Sequence, residues 1–230
     1  WYVPVIAALF AIEMFTRRNG VLEVFVESLL SIALIIILND FKVHELTYYL
    51  FGTSLLWLGC DVVLHLTYKN RPLRNIVRVA GGLLTLASVM GFAVGEMASG
   101  ATAVCFAVYT AFFAAYAWIY RQPRLGYLAT ASAAAMVFFA LNHFNVDAWL
   151  PIFTGMAVAY YAAGFLLREK SAGWAKMFRY SGLTLGSLMA LAALANLEAT
   201  GGWYAVLVGG LCVVETATRH NRWLGAAIHI

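Results

Sequence analysis

Six ionisable side chains come within reach of one another if the repeats of the chain stack in register: Glu23, Glu27, Asp61, His65, Arg74 and Arg78. Glu23 and Glu27 are four residues apart, so a helix presents both on one face. Adding 51 to each of their positions reaches Arg74 and Arg78. Where water is scarce, charges at one depth pair with opposite charges, stretch toward a polar boundary, or line a path for ions. Two chemistries follow from this set. The simpler is an ion-pair clamp in which two acids on one helix face two bases on another. The sharper is a proton or cation pathway, with Asp61 and His65 completing the cluster. No catalytic residue and no metal ligand is assigned.

The remaining titratable groups have plainer explanations. Glu13 precedes Arg17 by four residues and Glu215 precedes Arg219 by four, the spacing of an acid–base pair on one helix face. Glu45, Glu96, Asp147 and Glu198 recur every 51 residues in short polar turns and read as solvated turn residues. Paired imidazoles at one depth could hold haem or a chlorophyll-type pigment. Here His44 with His143, or His65 with His220, are the pairs that could do so, and no cofactor is predicted. Cys60, Cys105 and Cys212 are isolated in apolar runs and read as small hydrophobes. A phosphate-binding loop, a dinucleotide fingerprint, a nucleophile elbow and a zinc-protease helix are all missing.

The elements that must carry these residues are set by composition. Of 230 residues, 63% are hydrophobic and 11% charged, with mean hydropathy +0.81, whereas soluble domains hold about 25% charged residues. All 15 Lys and Arg residues except Lys42 fall into five short clusters: Arg17-Arg18, Lys69 to Arg78, Arg121/Arg124, Arg168 to Arg179, and Arg219/Arg222. Positive charge confined to turns between apolar runs argues for a membrane and against a nucleic-acid surface. A spanning helix needs about 20 apolar residues. The runs predict helices over 1–15, 21–39, 45–67, 76–97, 101–120, 125–143, 148–167, 176–197 and 202–218, with the start of a tenth. They are too long, and too little alternating, for barrel strands.

The expected fold is therefore all-α: a polytopic α-helical integral membrane protein with nine to ten spans, forming one membrane domain over 1–230. Its tandem helical hairpins repeat about every 51 residues, over 1–44, 45–95, 96–146, 147–197 and 198–230. The basic turns are expected on the cytoplasmic side of a bacterial cytoplasmic membrane. The opening at Trp1 and the close in WLGAAIHI read as an excerpt of a longer polypeptide. The function expected is a non-catalytic scaffold, anchor or sensor whose partners are the lipid bilayer and other membrane subunits or further parts of the same chain, with no nucleic acid. The alternatives are a secondary transporter or channel that uses the charge cluster, and a pigment- or haem-associated subunit of an energy-converting complex.

Overall fold

A computed structural model describes residues 20–40, 45–67, 74–94, 99–195 and 201–219, together with Ile6 and Leu9. Among these residues all regular structure is helical: α1 Gly20–Asp40, α2 Leu46–Thr67, α3 Arg74–Val94, α4 Ser99–Ile119, α5 Gly126–His143, α6 Trp149–Leu166, α7 Ala172–Ala195 and α8 Gly201–Arg219. A single 3-10 turn, Pro123–Leu125, leads into α5 and starts with proline, whose missing N–H costs nothing at a helix start. The helix expected over 1–15 and the tenth lie outside the described residues, apart from Ile6 and Leu9. Among the described residues, five stretches are long and apolar enough to cross a membrane: α2, α3, α4, Pro123–His143 and α6. This points to a bilayer as the chain's location.

Helix ends run past some of the apolar windows. The sequence predicts a start at 176 for its eighth helix, but the corresponding α7 begins at Ala172, where the Ala175 N–H donates to the Ser171 carbonyl at 2.9 Å. Hydropathy marks only the hydrocarbon layer, whereas backbone groups keep pairing into the interface. Helices α4 and α5 each end in the same two-bond cap. The Gln122 and Arg121 N–H groups reach the carbonyls of Ala117 and Trp118, and those of Val146 and Asn145 reach Leu141 and Asn142. The cap needs a left-handed residue, and Arg121 and Asn145 supply it, each with φ of 52°.

The chain divides into two compact units, Trp1–Met97 and Ala98–Ile230. In the first, α2 packs along α3, and the Trp57 indole donates to Ser31 on α1 at 2.8 Å. The faces of α3 are inverted relative to a soluble helix. Val77, Gly81, Ser88 and Phe92 are buried, while Ile76, Val79, Leu83, Leu86, Met90 and Val94 face outward. Small residues inside let backbones approach, and lipid solvates the large ones outside. A Cβ at Gly81 would lie 2.9 Å from Leu58, so α2 and α3 meet closely there. The buried hydroxyls of Ser54 and Ser88 bond to carbonyls of their own helices, Phe51 and Thr85, which removes their desolvation cost.

In the second unit α4 packs along α5 and α6 along α7, with α8 against α7. Phe106 stacks on Phe139 at 5.5 Å, and the Asn142 amide donates to Ser99 at 2.9 Å. Helices α6 and α7 nearly touch. A Cβ at Gly182 would sit 2.6 Å from the Ala157 carbonyl, and one at Gly164 would sit 2.7 Å from that of Ala175.

Candidate functional site

Each unit holds a charge network near the helix ends that flank the basic turns. In the first unit Asp61 sits two turns before the end of α2 and is fully buried. The Arg78 guanidinium donates to it through Nε at 3.1 Å, and Arg74 Nε lies 3.7 Å from its other oxygen. Arg74 occupies the first turn of α3, where the helix dipole disfavours a cation. A carboxylate on the neighbouring helix offsets that penalty. Arg74 also donates to Nδ1 of His65 at 3.0 Å. A guanidinium has no acceptor, so Nδ1 carries the lone pair and the imidazole proton belongs on Nε2.

The structure thus brings together four of the six residues singled out in the sequence: Asp61, His65, Arg74 and Arg78. The side chains of Glu23 and Glu27 lie outside the described residues, although both positions fall within α1. Asp61 is the buried centre of the described group, one carboxylate facing two guanidinium groups. Arg78 keeps 36% of its side-chain surface exposed and Arg74 keeps 19%.

The second network was not assembled from the sequence. Glu215 on α8 is 1% exposed and lies 3.6 Å from Arg179 on α7, itself 5% exposed. The buried Tyr161 hydroxyl on α6 donates to the same carboxylate at 3.0 Å. Arg179 further donates from Nε to the Ala175 carbonyl at 3.3 Å. Its side chain lies over Gly164, where a Cβ would come within 2.6 Å of its Cγ. Pairing Glu215 with Arg219, as the four-residue spacing suggested, did not anticipate Arg179 and Tyr161, and the Arg219 side chain is outside the described residues. The signal for Arg179 was its place in α7, one residue short of Arg78 carried forward by two repeats of 51. No sequence pattern separates Tyr161 from the aromatic residues around it.

Both networks consist of acids held by basic or hydroxyl donors, an arrangement that fastens helices together. Glu45 and Asp147 lie in exposed turns, and Glu96 and Glu198 are outside the described residues. His143 packs against Gly100 and the Phe144 ring; His44, His220 and His229 are also outside. Among the described residues no three His, Cys, Asp or Glu side chains gather as a metal site would require. Cys60, Cys105 and Cys212 form no disulfide with one another. Compared with protein-family models, with curated proteins and with solved structures, the chain matches none.

Proposed function

We propose that this chain is a non-catalytic, multi-span membrane domain that acts as a scaffold, anchor or sensor within a larger membrane protein or complex. The observation that carries the reading is where the buried charge goes. Asp61, Arg179 and Glu215 are spent on contacts between helices, and a cavity of about 510 Å³ in the second unit presents an almost wholly apolar surface. A transporter keeps polar groups facing its substrate path near mid-membrane.

The finer architecture belongs to the same proposal: nine to ten spans, hairpins recurring every 51 residues, and basic turns on the cytoplasmic side of a bacterial membrane. Four contacts, in two matched pairs, support the repeat. Asp61 meets Arg78 in one hairpin. Moving both positions forward by 102 residues gives 163 and 180, each within one residue of Gly164 and Arg179, which meet in the third. In the hairpin between, Ser99 bonds Asn142, and moving both back by 51 gives 48 and 91, beside the contact of Gly91 with Thr47. Partners are expected to be the bilayer and neighbouring membrane subunits or further parts of the same polypeptide.

The test is reconstitution in sealed vesicles, following proton and cation flux alongside thermal stability. The proposal expects no flux above empty vesicles, and lower stability on Asp61→Asn. Flux that disappears in Asp61→Asn with stability unchanged would replace it with the transporter reading. A visible absorption band in the purified chain would replace it with the pigment- or haem-bearing one.

A further inference from the structure

Within the second unit, hairpins α4–α5 and α6–α7 meet at a polar point and again where Gly126 and Pro123 lie against α7. Thr130 and Ser181 share a hydrogen bond of 2.8 Å, and the Tyr160 hydroxyl donates to the Thr130 carbonyl at 3.4 Å. Toward the basic turns the hairpins separate around a cavity of about 510 Å³, which lies in the range of roughly 300–1,000 Å³ for small-molecule sites. The space exists because Ala114, Ala129 and Ala133 stand where larger side chains would fill it. Its rim carries Trp118 and Trp174, with ring centroids 6.4 Å apart. The hydroxyls of Thr110 and Thr130 on the lining already bond to the Phe106 and Tyr127 carbonyls of their own helices. The interior therefore suits hydrocarbon and offers little to a polar solute.

The mouth has the opposite character. Gly173 lies against the Pro123 ring, where a Cβ would be 2.8 Å away, so the turn after α4 meets the start of α7 beside Ser171 and Trp174. The turns at this mouth expose Arg121, Arg124, Arg168 and Lys170 against a single acid, Glu169. An apolar slot, a tryptophan rim and a basic mouth match the tail, interface and headgroup of one molecule. We propose that this cavity binds the acyl chain of an anionic membrane lipid, whose headgroup is held by the basic turns. A zwitterionic lipid would gain the slot but not the charge, and a free anion would gain the charge but not the slot. The inference rests on the membrane-embedded reading of the chain.

The experiment uses the chain in phosphatidylcholine vesicles doped with phosphatidylglycerol that carries a photoactivatable acyl chain, or with phosphatidylcholine labelled in the same way. Alkaline extraction first establishes whether the chain is embedded. Adducts are expected to concentrate on Ala114, Ala129, Ala133 and Phe178 rather than on the outward-facing Leu191 and Val206. Phosphatidylglycerol should be preferred by roughly fivefold for each basic side chain engaged. Ala133→Phe should abolish the concentrated adducts, and Ala114→Leu, on the open side of the cavity, should reduce them. Arg124→Gln with Lys170→Gln should remove the headgroup preference and keep the adducts. Adducts spread evenly over the lipid-facing helices, or equal labelling by the two lipids, would overturn the proposal and leave the membrane reading standing. Release of the chain by alkaline extraction would overturn both.

Discussion

In the first unit one carboxylate, Asp61, faces two arginines of its own hairpin. In the second, Glu215 is met by an arginine and a tyrosine drawn from two other helices. The first network leaks toward the boundary, since Arg78 leaves over a third of its side chain uncovered. The second is sealed, with all three side chains buried. An arginine with a route to headgroups can leave its partner and be solvated by snorkelling. A sealed arginine has no such route, so losing its partner strands a charge. The pairs thus differ in consequence through exposure and reach: the first keeps a route to the boundary, and the second, sealed, joins three helices.

The comparison breaks most sharply at Glu215. Glu215→Ala should cost about 3–5 kcal/mol by stranding Arg179, read as a fall in the denaturant midpoint of the reconstituted chain. The double variant Arg179→Met with Glu215→Leu should recover most of that loss, because an apolar pair of similar size leaves no charge behind. If Glu215→Ala and Asp61→Asn proved equally costly, exposure would not be the distinction. Gly164→Val comes next, at about 1–3 kcal/mol, because its side chain must displace both the Ala175 carbonyl and the Arg179 stem. The same measurement checks it, and a neutral result would mean that α6 and α7 pack less tightly than described. Asp61→Asn should cost only about 1 kcal/mol, since the amide oxygen still accepts one bond and both arginines can reach outward. Smallest is the Thr130→Val and Ser181→Ala double-mutant cycle, with an expected coupling of about 0.6 kcal/mol, the usual worth of a hydrogen bond between membrane helices.

The apolar runs were legible because a bilayer imposes one length on every span, and α2, α5 and α6 lie within a residue or so of their predicted bounds. The charge cluster of the first unit was partly legible for a related reason. Asp61 and His65 interrupt an apolar run, and an interruption is visible without knowledge of the fold. Arg179 was hidden because it closes a basic cluster that topology already explains, so its position within α7 drew no separate notice. Tyr161 and the cavity were invisible for a deeper reason. Both depend on which helices become neighbours beyond the hairpin, and hydropathy carries no information about lateral order. Thr130 and Ser181 are the exception, being 51 residues apart and at the same point of successive units.

The sealed network also sets a schedule for synthesis. Asp61 precedes Arg74 and Arg78 along the chain, so each arginine of that hairpin emerges to find its carboxylate already made. Arg179 enters with α7, and Glu215 follows 36 residues later, an interval of roughly 2–7 s at ordinary translation rates. Throughout that interval Arg179 lacks both its acid and the helix that covers it, and holds only the Ala175 carbonyl of its own helix. Arrival of α8 is therefore the event that completes the second network, and a chain cut short before residue 215 keeps its arginine without the carboxylate.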